Sequence, residues 1–321
     1  MLVEKIKYAE EKVELKLSPL SNAILRTLLY FDIFQCPLTI EEVSTYCSCS
    51  ASIEEILRQL ETLMKHNYVK QSGVYYVIDE KDALIRIKKK TEGNKKAEKL
   101  LKIANRFSRF ISFFPFVRGI CLSGSLSKGY ADGKSDIDYF IITKPGRLWL
   151  CRILLIAFKK IFLFNSHKYF CVNYFVDTDN LEIPDKNIFT AIELTSVIPT
   201  YNGILYEQLM ERNGWTGTYC PNFSLKDIEQ IPMENRSVIK KVIENILSGK
   251  MGDRLDEKFF RLTLSQWKRK FKDFDEEQFD LRLRSRKNVS KHHPLGFQEK
   301  VLKSLEDKIK DFEYKFEISL S

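Results

Sequence analysis

Two apolar runs separated by a turn-rich segment constrain the fold of this chain more than any other feature. Residues 117–143 read VRGICLSGSLSKGYADGKSDIDYFIIT, with apolar runs at 117–122 and 139–142. Short apolar runs bounded by glycine, serine and aspartate are typical of buried β-strands. We therefore expect two buried strands that flank a turn.

Two aspartates open the second of these strands. Side chains at positions i and i+2 of a strand lie on one face, so Asp136 and Asp138 are expected side by side while Ile137 points the other way. Two carboxylates this close raise each other's pKa unless a cation lies between them. Mg²⁺ binds oxygen ligands, often one or two carboxylates together with substrate phosphates. The pair is therefore a candidate metal site.

The first strand ends in a Gly-Ser pair that suits an anion. Gly124 allows the backbone to approach a phosphate, and exposed N–H groups with the Ser125 hydroxyl at a strand-to-helix turn can seat it. Lys128 and Ser135 complete the candidate phosphate-binding set, although Lys128 is equally compatible with a solvated position. The alternative for the whole stretch is an ordinary hairpin whose aspartates are surface charges.

The spacing of these residues resembles a known signature. Gly124-Ser125, followed eleven residues later by Asp136-Ile137-Asp138, is similar to the Gly-Ser … Asp-x-Asp motif of the polymerase-beta-like nucleotidyltransferase superfamily, minimal type. The resemblance covers this motif and its two strands. It implies that Gly124 and Ser125 hold the outer phosphates of an NTP while Asp136 and Asp138 hold Mg²⁺ or Mn²⁺. The implied activity is transfer of an NMP from the NTP to an acceptor hydroxyl.

One position departs from the pattern of that superfamily. Active members usually carry a third carboxylate on a later core strand, which completes the metal site and can act as a base. The aligned position in the predicted strand 168–177 is Asn173, whose carbonyl oxygen can ligate a cation but whose amide takes no proton. Asp177, at the end of that strand, is a candidate substitute ligand. The alternative to an enzyme is a catalytically degenerate nucleotide- or nucleic-acid-binding regulatory module.

The rest of the chain indicates an α/β (α+β) protein in four parts. Three helical patterns, the second opened by the capping box Thr39-x-x-Glu42, precede a predicted hairpin, and this order resembles a winged helix-turn-helix. The resemblance to the superfamily implies a mixed sheet flanked by helices at the centre. We predict a winged helix at 1–80, a helical connector at 81–116, the nucleotidyltransferase core at 117–225 and a C-terminal helical region at 226–321.

The distribution of charged residues does not identify the acceptor substrate. A formal net charge of +9 favours acidic partners such as nucleotides or nucleic acid. The predicted recognition helix carries Glu54, Glu55 and Glu61 but only two basic residues, Arg58 and Lys65, and glutamates are unfavourable against phosphate. The winged helix is therefore a candidate for nucleic-acid binding and equally for protein contact or packing. Basic clusters at 268–272 and 282–287 indicate either a polyanion-binding surface or an exposed helix with acidic partners. A small molecule, a protein and a nucleic acid are all compatible acceptors.

One apolar segment bears on membranes. Residues 147–164 are apolar and helical in pattern, but Arg152, Lys159 and Lys160 interrupt them, whereas a spanning helix needs about 20 mostly uncharged residues. We expect a buried helix and no integral membrane segment. Seven cysteines without paired spacing, and no signal sequence at the start, favour the cytoplasm.

Overall fold

The computed structural model describes residues 17–164, 166, 168–233 and 237–320. The charged lead-in at 1–16 lies outside these residues. The helices are α1 (Pro19–Asp32), α2 (Ile40–Tyr46), α3 (Ile53–Lys65), α4 (Ala83–Ile111), α5 (Gly124–Ser127), α6 (Leu148–Phe162), α7 (Ile188–Ser196), α8 (Gly203–Arg212), α9 (Val238–Ile246), α10 (Gly249–Lys270), α11 (Glu276–Leu283) and α12 (Phe297–Phe316), with a 3₁₀ helix at Gly214–Thr218. The strands are β1 (Lys70–Ser72), β2 (Tyr75–Val77), β3 (Val117–Ser123), β4 (Asp138–Thr143), β5 (Cys171–Asp177), β6 (Ile198–Tyr201), β7 (Ser285–Arg286) and β8 (Val289–Lys291).

Residues 19–77, which we call the N-terminal module, contain the three helices and the hairpin expected there. Thr39 and Ser52 cap α2 and α3, and each forms a capping box with the glutamate three residues on. The strands β1 and β2 pair antiparallel. The box at Thr39 is the one that the sequence predicted.

A six-stranded mixed sheet forms the centre of the molecule, in the order β6-β3-β4-β5-β8-β7. Strand β4 runs parallel to β5, and the other neighbours are antiparallel. Helices α4, α6 and α10 cover one face, while α7 and α8 cover the other. The predicted mixed sheet flanked by helices is therefore confirmed, and the buried helix expected at 147–164 is α6.

Alternation along β4 decides which way its first side chain points. Tyr139 and Ile141 pack toward α4 and α6, whereas Phe140 and Ile142 pack toward α7 and α8. Asp138 shares the parity of Phe140. Its carboxylate therefore belongs to the α7 and α8 face, at the edge where the sheet begins.

The C-terminal region needs a correction, because it is not wholly helical. Strands β7 and β8 form a hairpin, and β8 pairs with β5 at the end of the sheet. Strand β6 (Ile198–Tyr201) pairs with β3 at the other edge of the sheet. These strands have four residues or fewer, so their stability comes from pairing (β6 with β3, β8 with β5 and β7 with β8) and not from local propensity. The central sheet thus extends beyond the predicted boundary at 225.

The two ends of the described chain share one hydrophobic cluster. Buried residues of α12, among them Leu305 and Phe312, join those of the N-terminal module. Arg26 donates to the carbonyl of Leu320 at 2.9 Å, and Lys308 pairs with Asp32. No helix in the described ranges has both the length and the apolar composition needed to cross a bilayer.

Candidate functional site

A cavity of about 580 Å³ opens at the sheet edge where β3 ends and β4 and β5 begin. Its size falls within the range of about 300–1,000 Å³ usual for small-molecule sites. The N-terminal module, the start of α4, helix α7 and residues 281–299 enclose it. Five sequence-predicted residues lie in or beside its wall: Gly124, Ser125, Lys128, Asp138 and Asn173.

Gly124 brings the predicted phosphate turn against the predicted metal ligand. Its backbone has φ +71°, in the left-handed region that disfavours other residues. A Cβ built on it would also lie 2.4 Å from Oδ2 of Asp138. Any side chain at position 124 would therefore displace the Asp138 carboxylate. The adjacent Ser125 is exposed to the cavity.

Asp138 is a half-buried carboxylate in the cavity wall. Its pKa is raised to about 6, mainly by burial and also by the negative charges of Asp136 and Glu193. Hydrogen bonds from Cys171 and Asn173 act in the opposite direction. A divalent cation would compensate both the burial and the neighbouring negative charge. The electrostatics of Asp138 therefore fit a cation-binding role.

Lys128 is held in place beside the glycine turn. Its Nζ donates to the Gly124 carbonyl at 3.2 Å and to Oε1 of Glu193 at 2.7 Å. The solvated alternative for Lys128 is thus replaced by a fixed position in the cavity wall. Glu193, on α7, consequently lies at the same edge.

Asn173 reaches Asp138 because β5 carries an extra residue at this point. Tyr139 pairs with Val172 and Phe140 with Tyr174, which leaves Asn173 as a β-bulge. Its Nδ2 donates to Oδ1 of Asp138 at 3.0 Å. Tyr174 faces the same side of the sheet, where its ring stacks on Phe140 with 5.0 Å between centroids. The bulge thus turns two consecutive side chains toward one site, which simple alternation does not allow.

Three predicted residues take other positions. Asp136 is half-buried just before β4 and acts on Asp138 through its charge, but it does not line the cavity. The Ser135 hydroxyl donates to Asp132 Oδ1 at 3.0 Å, so it closes a turn instead of joining the phosphate seat. Asp177 pairs with Thr143 while Cys171 pairs with Asp138, at the opposite end of the same two strands. Along β4 the Asp138 position and the Asp177 partner Thr143 are five residues apart, about 17 Å of strand, so Asp177 is not a ligand at the site.

Few side chains at the site can ligate a metal ion. Among the described residues, no three His, Cys, Asp or Glu side chains are grouped to share a metal ion. Carboxylate and amide oxygens of Asp138 and Asn173 are the hard donors that Mg²⁺ prefers. Asp136 and Glu193 supply further negative charge beside them. These residues fit a cation that is also held by a substrate phosphate.

Another part of the cavity wall is aromatic, and no sequence pattern predicted it. Phe34 from the N-terminal module, Phe189 from α7 and Phe297 from α12 meet there. The Phe297 ring centroid lies 6.2 Å from that of Phe34 and 6.0 Å from that of Phe189. These rings come from three distant segments, so only the tertiary structure brings them to one site.

The basic clusters do not converge on this cavity as a free polyanion surface. In the cluster at 282–287, Arg282 pairs with Glu299 at 2.8 Å and Arg284 with Asp185 at 2.8 Å. Its residues also include strand β7, which excludes the exposed helix expected there. The cluster at 268–272 ends α10 with exposed basic side chains.

Comparisons with known proteins add nothing to this geometry. The chain matched no model of a protein family, no curated protein and no solved structure. Function therefore has to be inferred from the residues of the site. These combine a glycine turn, a half-buried carboxylate, a fixed lysine and an amide.

Proposed function

We propose that this chain is a Mg²⁺-dependent nucleotidyltransferase that transfers an NMP from an NTP to an acceptor hydroxyl. The observation that carries the proposal is the contact between Gly124 and Asp138. A turn able to seat phosphate and a carboxylate able to hold a cation are built against each other by neighbouring strands. The resemblance to the polymerase-beta-like superfamily assigns the same pair of roles to these positions.

In this proposal each residue at the sheet edge has a separate task. Gly124 and Ser125 hold the outer phosphates, and Lys128 adds a positive charge beside them. Asp138, with Asp136, holds the cation, which when bound neutralises charge that develops on the α phosphate. The acceptor hydroxyl forms a bond to the α phosphorus while the bond to the leaving pyrophosphate breaks. Asn173 cannot take the hydroxyl proton, and in this proposal the proton passes to the carboxylate of Asp138, which lines the cavity.

The N-terminal module, which we propose to be a winged helix, acts here as a wall of the site. Phe34 from this module lines the cavity. The exposed side chains of α3 include Glu54, Glu55 and Glu61, which repel phosphate. We therefore favour packing over DNA reading for the module. The free cysteines fit a reducing compartment such as the cytoplasm.

Calorimetric titration of each NTP with Mg²⁺ tests the proposal. We expect wild-type protein to bind NTP and Asp136→Asn/Asp138→Asn to lose at least about 10-fold in affinity, because charge-assisted contacts to the cation disappear. The matched control is Asp177→Asn/Asp179→Asn, which has the same spacing at the far end of β5. Absence of NTP binding to the wild type, or equal loss in both variants, would contradict the assignment.

A catalytically degenerate nucleotide-binding module is the second candidate. It is favoured by Asn173, whose amide donates to Asp138 where a third carboxylate would be expected to ligate. The two candidates differ in turnover, measured as pyrophosphate release with labelled NTP. Release by the wild type supports the enzyme. NTP binding without release, together with release by Asn173→Asp, would support the degenerate module.

A further inference from the structure

The sheet order gives Asp138 two different sides. Strand β3, which ends in Gly124-Ser125, lies on one side of β4, and β5, which carries Asn173 and Tyr174, lies on the other. A triphosphate held at Gly124 therefore approaches Asp138 from the β3 side. The β5 side is left for the second substrate. We call this part of the cavity the β5 pocket, lined by Tyr174, His293, Phe34, Phe189 and Phe297.

The β5 pocket contains two polar atoms that need a partner. The Tyr174 hydroxyl and Nε2 of His293 are shielded from solvent and have no hydrogen-bond partner among the described residues. Their rings lie close, with centroids 6.1 Å apart. Burial is the main cause that lowers the pKa of His293 to about 4, so its imidazole is neutral at neutral pH. A neutral imidazole and a phenol recognise an uncharged polar group.

Aromatic rings line the same cavity as these two residues. Phe297 is 52% exposed and Phe34 is 38% exposed, which is high for rings that line a pocket. Together with Phe189 they form an apolar, aromatic part of the cavity that Tyr174 and His293 also line, with the Phe189 and Phe297 rings at 67° to each other. Stacking or edge contacts with a ring would bury that surface.

Four charged side chains at the β5 pocket form ion pairs with one another. Asp185 pairs with Lys291 at 2.9 Å, and Arg282 pairs with Glu299 at 2.8 Å. A polynucleotide gains affinity by meeting unpaired Lys and Arg side chains along its backbone. The β5 pocket offers it neutralised ion pairs instead. It is also a cavity rather than an open groove, which suits a compact ligand.

We propose that the acceptor is a small hydroxylated molecule with a flat ring, whose uncharged polar group binds Tyr174 and His293 in the β5 pocket. This inference rests on the proposed nucleotidyltransferase activity and names its substrate class. The acceptor hydroxyl points to Asp138, and the ring lies between Tyr174 and Phe297. Protein and polynucleotide acceptors are excluded by this assignment.

In the test, the protein is incubated with a cell extract, Mg²⁺ and each α-³²P-labelled NTP in turn. The label is then measured in three fractions of the extract. The fractions are small molecules, polypeptides and polynucleotides. We expect label in the small-molecule fraction, in an adduct that is chromatographically distinct from the NTP and from its NDP and NMP. Label in polypeptide or polynucleotide would overturn the inference.

Two variants probe the β5 pocket, and each has a matched control. Tyr174→Phe removes one hydroxyl and keeps the stack on Phe140, and Phe297→Ala removes an exposed ring; we expect each to lower transfer to the small molecule about 10-fold. The controls are Tyr314→Phe, 90% exposed, and Phe113→Ala, 51% exposed, which should not change transfer. Nucleotide affinity, measured by calorimetry, should stay within about 2-fold in all four variants.

Nucleotide affinity separates the two proposals. NTP binding without label in the small-molecule fraction overturns the acceptor assignment alone. Loss of NTP affinity in Tyr174→Phe or Phe297→Ala would place the nucleobase in the β5 pocket and also overturn it. If wild-type protein binds no NTP, the proposed function fails, and the acceptor assignment falls with it.

Discussion

At the scale of single residues, the main feature of the site is that the Asp138 carboxylate is ionisable but lies where its charged form is disfavoured. The carboxylate is partly buried next to Asp136 and Glu193, while its hydrogen bonds from Cys171 and Asn173 compensate only in part. A folded protein retains such a residue at a cost in stability. Function and stability should therefore respond in opposite directions when the charge is removed.

Asp138→Asn is expected to stabilise the protein at pH 7.5. Because the folded-state pKa of about 6 lies above the ordinary 3.8, the stabilising effect of the protonated carboxyl is present below 3.8 and lost as pH rises through about 6. The asparagine does not ionise, so the variant does not lose this stability. We expect its free energy of unfolding to exceed that of the wild type by about 2 kcal/mol at pH 7.5, allowing for solvent screening, and the difference to approach zero near pH 4. Urea unfolding at both pH values measures it. Destabilisation at pH 7.5 would contradict the burial argument.

At the scale of secondary-structure elements, the sequence predicted what depends on local pattern. Apolar runs and small residues predicted β3, β4 and the turn that places Gly124 near Asp138. The capping box at Thr39 and the buried helix α6 were predicted in the same way. Their signals lie within a few residues of the structure that they specify.

Elements that depend on distant partners were not predicted. The bulge at Asn173 follows from the pairing register between β4 and β5, which no single strand encodes. Strands β7 and β8 are too short to show a period, and they exist because β5 offers an edge. The aromatic wall has the same origin, since Phe34 and Phe297 are far apart along the chain. The sequence thus predicted the paired carboxylates of the Asp-x-Asp motif. It did not predict the aromatic residues that line the rest of the cavity.

One buried lysine joins two of these elements. Lys90 of α4 is 6% exposed, donates to the Pro37 carbonyl at 2.7 Å and pairs with Glu42 at the start of α2. The basic run at 88–90 thus has a structural role at its last residue, and Lys90 is not a nucleic-acid contact.

Lys90→Met is expected to loosen the N-terminal module from α4. It leaves the Glu42 carboxylate and a backbone carbonyl without this donor, so we expect about 2 kcal/mol of lost stability in urea unfolding. Limited proteolysis should cut between the module and α4 faster than in the wild type. Lys88→Met, at an exposed position of the same run, is the control and should change stability by less than about 0.5 kcal/mol. Equal behaviour of the two variants would refute the link.

At the scale of the whole molecule, the segments predicted as separate parts form a continuous structure. Helix α12 completes the hydrophobic cluster of the N-terminal module, and β8 extends the central sheet. The cavity is enclosed by residues from both of these regions. Unfolding of either end should consequently open the site.

Phe312→Ala tests whether the ends unfold together. Phe312 is 4% exposed, and its ring centroid lies 6.1 Å from that of Tyr68 in the N-terminal module. We expect a loss of about 3 kcal/mol in unfolding free energy and faster amide exchange in α1 as well as α12. Tyr314→Ala, at a position 90% exposed on the same helix, should cost less than about 0.5 kcal/mol. Faster exchange confined to α12 would show that the module is stable alone.

The shared cluster has a consequence for synthesis on the ribosome. The buried face of α1 is translated long before its partners on α12, which lie more than two hundred residues later in the chain. At about 5–20 residues per second, the nascent N-terminal module waits roughly 15 to 60 s for those partners. During that interval its apolar surface is available to chaperones and to neighbouring nascent chains. On a polysome, the hydrophobic cluster of the N-terminal module therefore stays incomplete until α12 has left the ribosome and can pack against α1.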